Sequence, residues 1–408
     1  MRKISKISLV AAVAVAGFST ANAQPLEEAI KNVDVSGSVV YRYDNFHNAE
    51  KKNSAGTVTS KRKNTDVNQY KIGLNLSSKV NDYVKFNSRF IVGDKGNGGF
   101  TSLNAGKETN NSNTAGSDGQ ADVSLSNAYF GFTAIPNTVV NIGKQGLTTP
   151  YTVALDINGN EQTGTGILAL SNVGPVTAGA GYFNNQNLDK SGNLTGLFNG
   201  GEDLYVATIQ GDLDFVKLEA WYLGAQDTLN SYTLAATSNI DLAENAKIGL
   251  EARYVNLKLD NKLASGDDRK NSMFRLAVDG KFSIVNARLA YTQTGKHGGA
   301  TATDNDAKNT SLGWAITSND VADAKYWQAA LGADILDNLN FTVHYGNLKS
   351  KEKADDVKAQ EVYGQLTYKM SKNLSTYLRY GTYTEKEYKS GDKVEDQTRG
   401  RIQVAYTF

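Results

Sequence analysis

Cysteine is absent from all 408 residues, which excludes a disulfide scaffold and thiolate metal sites. Proline is scarce as well, with Pro25, Pro136, Pro150 and Pro175 the four that occur. None falls inside a stretch of period-two alternation, where a missing N–H would break a strand ladder. Neither sign of charge dominates, since 43 Lys and Arg face 42 Asp and Glu. A nucleic-acid footprint needs a strong basic excess, so no nucleic-acid partner is expected. Past residue 18 no long apolar run occurs, which excludes a transmembrane helix there.

The residues before that point form a recognisable address. Arg2, Lys3 and Lys6 precede an apolar run from Ile7 to Phe18, followed by Ala21-Asn22-Ala23. A charged segment, a short apolar segment and a small-x-small site make a secretory signal peptide over residues 1–23, with Gln24 starting the mature chain. The apolar run is too short for a membrane anchor, which takes roughly 20 residues. Removing three basic residues would take the formal net charge from +1 to −2. Pro25 to Lys31 suits a short periplasmic helical turn, with Glu27 and Glu28 at its N-terminal end.

What the chain has in abundance is alternation. Val35, Val39, Tyr41 and Tyr43 are separated by Ser36, Ser38 and Arg42; Tyr70, Ile72, Leu74 and Leu76 by Lys71 and Asn75. Ile248, Leu250, Ala252 and Tyr254 alternate with Glu251 and Arg253, and Val285, Ala287, Leu289 and Tyr291 with Asn286 and Arg288. Period-two patterning puts one class of side chain on each face of a strand. About 18 such segments can be traced, Leu204 to Gly211 being the weakest, and most are roughly ten residues long, enough to climb about 23 Å when tilted near 45°. Tight turns at Ser78–Asp82, Ile135–Thr138, Gly174-Pro175, Gly211–Asp214, Leu336–Asn338 and Ser371–Asn373 alternate with long polar connections at Asn45–Asn68, Gly93–Gln120 and Gly295–Asp323. One short-turn end and one long-loop end define an all-β protein: a transmembrane antiparallel β-barrel of about 18 strands occupying residues 24–408, in a bacterial outer membrane. A soluble β-sandwich would not need such uniform strands. Strands beginning near Val35 leave no room for an N-terminal plug domain.

The final segment, RIQVAYTF, puts Ile402, Val404, Tyr406 and Phe408 on one face and Arg399, Arg401 and Gln403 on the other. An open strand edge is intolerable in hydrocarbon, so this strand must pair with the first, near Val35 to Tyr43. Its apolar face and terminal aromatic are similar to the insertion signal that the barrel-assembly machinery of Gram-negative bacteria recognises.

Three stretches carry a family resemblance: PLEEAIKNVDVSGSVVYRYD from Pro25 to Asp44, GKQGL from Gly143 to Leu147, and the C-terminal strand. They resemble the major outer membrane porin family of Campylobacter and its relatives. The resemblance implies an 18-stranded barrel, a homotrimer, and passive diffusion of ions and small hydrophilic solutes.

Sixteen to eighteen strands leave an aqueous lumen that something must narrow if solutes are to be sieved. The candidate is an inward-folded constriction loop, Thr148 to Gly166, carrying two charges, Asp156 and Glu161. Inward parity on the neighbouring last two and first three strands selects Arg42, Lys71, Lys85, Arg89, Arg379, Arg399 and Arg401 as a pore-lining basic arc. Inward acids on these strands are expected only near the mouths, at Asp34 and Glu385. Opposed charges across a narrow gap would set up a transverse field.

Asp156 and Glu161, in DINGNE, are also weak candidates for a Ca²⁺ site, although calcium wants six to eight oxygens and the full loop signature is absent. No other cofactor is expected. His47 and His297 read as loop residues, and His344 has lumen parity, which leaves no Ser–His pair facing lipid and no catalytic residue. GKETNNSN and KHGGATATDND have the composition of phosphate loops without the spacing, and read as exposed surface loops. Tyr41, Tyr43, Phe86, Tyr254 and Tyr380 suit an interfacial girdle, whereas Tyr83 and Tyr377 have inward parity. The alternative to a porin is a structural or adhesive barrel whose loops, with Lys51, Lys52, Lys61, Arg62 and Lys63, bind a host molecule or lipopolysaccharide.

Overall fold

The computed structural model describes residues 33–52, 56–94, 96, 98–103, 121–188, 197–351 and 356–408. The expected signal peptide, the turn expected at Pro25–Lys31 and GKETNNSN lie outside them. Eighteen long strands form the wall: β1 Val33–Asn48, β2 Lys63–Asn81, β3 Val84–Gly93, β4 Asp122–Phe132, β5 Thr138–Gly146, β6 Thr163–Val173, β7 Val176–Gln186, β8 Leu204–Asp212 and β9 Lys217–Ala225 make the first half. The second half is β10 Leu229–Ala243, β11 Ala246–Leu259, β12 Lys270–Phe282, β13 Val285–Thr294, β14 Lys325–Leu336, β15 Leu339–Ser350, β16 Val357–Lys369, β17 Leu374–Lys386 and β18 Lys393–Thr407. Each pairs antiparallel with its neighbours in sequence, and β18 pairs with β1, so the sheet closes. Among the described residues the one helical element is a 3₁₀ turn at Gly266–Arg269.

The closing register follows the alternation. Val39 lies opposite Tyr406, Tyr41 opposite Val404 and Tyr43 opposite Ile402, while Arg42 meets Gln403 and Asp44 meets Arg401. The first set faces outward, with Tyr41 and Tyr406 exposed, and Arg42 and Asp44 are buried inside. Leu234, Leu276, Leu289 and Leu331 belong to the same exposed apolar belt. Aromatic pairs mark its two margins: Phe86–Phe130 and Tyr406–Phe408 near the short-turn end, Tyr182–Tyr205, Tyr232–Tyr254 and Tyr291–Trp327 towards the long-loop end. Tyr83 lies in the turn between β2 and β3 and is exposed, whereas Tyr377 faces inward and donates to Gln403 Oε1.

Two expectations need correction. The first hairpin is longer than the alternation indicated: β1 and β2 stay paired to Asn48↔Lys63, so His47 is a strand residue, carried by backbone pairing that a polar sequence hides. The long-loop end also contains one tight turn, at 226–228, where Asp227 adopts a φ of 53°. Nor is the interior polar throughout. Phe183, Leu204, Leu223, Val255, Leu257 and Met273 turn inward from β7–β12 and pack with Leu147 and Tyr151 into a dry cluster. Each such side chain is worth roughly 1.5–3 kcal/mol when fully buried.

The seam depends on a missing side chain. Gly37 N donates to Phe408 O (2.9 Å) and Phe408 N to Gly37 O (3.1 Å). A Cβ on Gly37 would stand 2.4 Å from Gly73 O and 2.6 Å from Phe408 Cζ. We therefore expect Gly37→Ala to destabilise the closed barrel by about 1–3 kcal/mol, the usual cost of overpacking. Gly211→Ala, with nothing within 4 Å, serves as the control. Urea-dependent loss of the compact, heat-modifiable band on gels measures both; equal midpoints would sink the idea.

Candidate pore site

Between β5 and β6 the connection is Leu147 to Gln162; Thr163–Gly166, expected as loop, already belong to β6 and pair with β5 and β7. The turn is made by its own residues. The Asp156 carboxylate accepts from the Asn160 backbone N–H and from Asn160 Nδ2, both at 2.7 Å, and Asp156 O accepts from Gly159 N at 2.9 Å. Gly159 has φ +85°, and a Cβ there would meet the Phe100 ring at 2.6 Å. Phe100 in turn lies under the Arg42 guanidinium, 4.1 Å from its carbon.

The turn rests on the wall of β1–β4. Lys71 Nζ donates to Gly159 O (2.5 Å) and Glu161 Oε1 (2.6 Å). Arg89 donates to both Glu161 oxygens at 3.0 Å, Ser126 Oγ adds a bond to Oε2 (2.9 Å), and Arg42 Nη2 reaches Ile157 O (3.3 Å). Burial pushes the Glu161 carboxyl up, but the hydrogen bond from Arg89 and the charges of Lys71 and Arg89 outweigh it and leave it below the usual range. Two residues of the arc thus clasp the loop acid directly, with no gap between them.

The rest of the arc divides by partner. Arg401 forks onto Asp44 (2.5 and 3.1 Å), a buried inward acid on β1. That corrects the expectation that inward acids sit only at the mouths; Asp44 immediately precedes Asn45–Asn68, the stretch expected as a long polar connection. Asp34 is highly exposed, and Lys85 beside it is half-exposed with Nζ 3.9 Å from its carboxylate, apart from the other arc residues. Arg42, Arg379 and Arg399 instead donate to the amide oxygens of Gln403, Gln365 and Gln397. Glu385 accepts from the Tyr383 hydroxyl.

A second inward element was missed from sequence. The connection between β13 and β14, residues 295–324, contains KHGGATATDND, expected as an exposed surface loop, yet Ala300, Thr301, Thr303, Asp304 and Asn319 are buried. Its small polar side chains satisfy one another and the backbone: Asn319 Oδ1 takes the N–H groups of Thr301 and Ala302, and Thr301 Oγ1 donates to Asn309 O. Thr303 N and Asn309 N donate to Tyr151 O and Pro150 O (2.9 and 2.8 Å), locking it to the 147–162 segment. Arg275 holds it to the β12 wall through the carbonyls of Lys308 (2.8 Å) and Thr310. On that wall Glu251 bonds Arg253 (3.0 Å) and Arg275 (2.7 Å), and Arg288 pairs with Asp279 (2.6 Å). Asp306, on the loop, is raised well above the usual carboxylate range, first by burial and then by Asp304 beside it.

Hollows remain between these elements. One of about 470 Å³ is bordered by Ile157, Arg275, Asp306, Lys308 and Tyr363. Another of about 800 Å³, lined by Lys247, Asp279, Lys281 and Gln365, shares Arg288, Ala330 and His344 with it. His344 is inward as expected, stacked on Tyr363 with ring centroids 4.5 Å apart.

The Campylobacter major outer membrane protein family matches residues 1–408, the full length. The chain belongs to that family. It is an outer-membrane protein, and family and fold together support a porin role. Among solved structures it is similar to OpdL of Pseudomonas aeruginosa (16% identity, TM-score 0.69, covering 92% of this chain and 99% of that one). OccAB1 of Acinetobacter baumannii (16%, 0.70, 92% and 96%) and OccK3 of P. aeruginosa (14%, 0.69, 94% and 98%) are comparable. At such identities the likeness is one of fold. No curated relative matches the chain.

In this family member Asp156 and Glu161 turn to different partners, Asp156 to its own turn and Glu161 to Lys71, Arg89 and Ser126. Among the described residues no group of three or more His, Asp or Glu is placed to hold a metal ion. Through its bonds to Lys71, Arg89 and Ser126, Glu161 ties the loop to the wall. Glu161→Gln should lower the opening free energy of residues 155–161 by roughly 3 kcal/mol, because it leaves buried cations under-compensated. A carboxyl lowered on folding stabilises fully above its unfolded-state value and loses that contribution as pH falls through its native value. Hydrogen exchange of this segment should thus stay slow through the ordinary carboxylate range and quicken only at lower pH. In Glu161→Gln it should be fast at neutral pH; wild-type rates in the variant would refute the anchoring role.

Proposed function

We propose that this family member is a homotrimeric general porin, passing ions and small hydrophilic solutes by diffusion through a lumen narrowed by residues 147–162 and 295–324. The observation that carries the reading is the closed barrel with exposed apolar side chains outside and charged ones, with both segments, inside. Charged and amide side chains facing water need no buried partner, and those facing hydrocarbon would be costly. The basic arc resolves, in this reading, into four parts. Lys71 and Arg89 fix the loop, Arg401 is balanced by Asp44, and Arg42, Arg379 and Arg399 supply the wall charge that passing ions meet. Lys85 acts at the periplasmic mouth. The face of Ile402, Val404, Tyr406 and Phe408 is the part offered to the barrel-assembly machinery, and the exposed Lys61, Arg62 and Lys63 suit contact with lipopolysaccharide phosphates.

The porin family and fold are those of a channel rather than an enzyme, so the decisive measurement is electrical. Purified, detergent-extracted protein in a planar bilayer should give current steps that close in threes. Charge removal in Arg379→Ala or Arg399→Ala should move the reversal potential under a salt gradient towards cations, more than Arg89→Ala or Arg401→Ala does. A folded, inserted barrel that carries no current would overturn the porin reading and favour a surface-binding barrel.

A further inference from the structure

Resting on the porin reading, the segment 295–324 holds a residue whose surroundings point to ion selection. Trp314 sits at the tip of a short hairpin, closed by Gly313 N to Ile316 O at 2.8 Å. Three guanidinium carbons lie within reach of its indole: Arg379 at 5.2 Å, Arg399 at 5.9 Å and Arg401 at 6.0 Å from the ring centroid. Two of the three, Arg379 and Arg399, have amide oxygens and, among the described residues, no carboxylate as hydrogen-bond partners. The tip is held in place by Glu361, buried on β16, whose Oε1 takes the Trp314 N–H (3.0 Å) and Oε2 the Ala315 N–H (2.7 Å). That grip requires glycine at 313, where a Cβ would stand 1.5 Å from Glu361 Oε1.

We propose that Trp314 is a selectivity-determining residue of the channel, setting the ratio in which small anions and cations pass, and that Glu361 is its positioning residue. An aromatic face carries negative charge density and attracts a cation above it. One indole shared by three guanidinium groups weakens the positive field that Arg379 and Arg399 present to a passing anion. The effect needs no charge on the residue itself. A side chain that merely filled space would alter conductance without altering ion preference.

That distinction makes the test. Reversal potentials would be measured in planar bilayers under a KCl gradient for the wild type, Trp314→Leu, Trp314→Phe and Gly313→Ala, all neutral substitutions. Trp314→Leu keeps an apolar side chain without the π face, and should raise the anion-to-cation permeability ratio about two- to fivefold. Trp314→Phe keeps a face and should stay near the wild type. Gly313→Ala should shift in the same direction as Trp314→Leu, because its Cβ displaces the hairpin from Glu361. Heat-modifiable gel mobility confirms that each barrel is folded. An open wild-type channel whose reversal potential is unchanged in both Trp314→Leu and Gly313→Ala overturns this proposal and leaves the porin reading standing. A Phe variant shifted as far as the Leu variant overturns it too. A folded wild type without current sinks both.

Discussion

The constraint on which the whole structure depends is that a strand edge cannot be left open in hydrocarbon. Every backbone N–H and C=O of the wall must find a partner in a neighbouring strand, and the sheet meets this by joining β1 to β18. Once the seam is closed, inside and outside are defined, and alternation assigns every side chain to one of them. The seam register puts Arg42 beside Gln403 and Asp44 beside Arg401, so the polar architecture of the lumen is a consequence of closure. Gly37, by lacking a side chain, lets the terminal Phe408 close over it.

Inside the wall the governing problem changes from satisfying the backbone to satisfying charge. Cations gathered on neighbouring strands repel one another and need compensation. They find it in three ways: a loop carboxylate for Lys71 and Arg89, a strand carboxylate for Arg401, and amide oxygens with aromatic faces for Arg379 and Arg399. The first also tethers residues 147–162, so one interaction contributes to both electrostatics and loop geometry. The wall of β11–β13 uses the first strategy again, with Glu251 between Arg253 and Arg275.

Much of this could be read from residues alone, and the misses have physical causes. The wall strands could be read because period-two alternation is local; even the weak segment at Leu204 became β8. Parity alone singles out Arg42, Arg379, Arg399 and Arg401, and the structure joins them to Gln403, Gln365, Gln397 and Asp44. Asp44 shares the even parity of Arg42 but borders the polar stretch from Asn45 that reads as loop, and only the continued pairing of β1 beyond it makes it a wall residue. Within the 295–324 segment KHGGATATDND reads as exposed because its Gly, Thr, Asn and Asp have the composition of a surface loop. Those side chains are buried because they bond one another and the barrel wall, a network that has no signature along the chain.

By itself, then, the sequence determined which residues form strands, which face each side chain takes, and that the first and last strands must join. Those properties follow from neighbours along the chain and from the solvent on either side of the wall. Only the tertiary structure decided that Glu161 clasps Lys71 and Arg89, that a second segment enters the barrel, and that Trp314 reaches three arginines. Each of these joins residues far apart in sequence, from Lys71 and Glu161 to Trp314 and Arg401, and such partners are chosen by the closed geometry of the barrel and not by any local pattern.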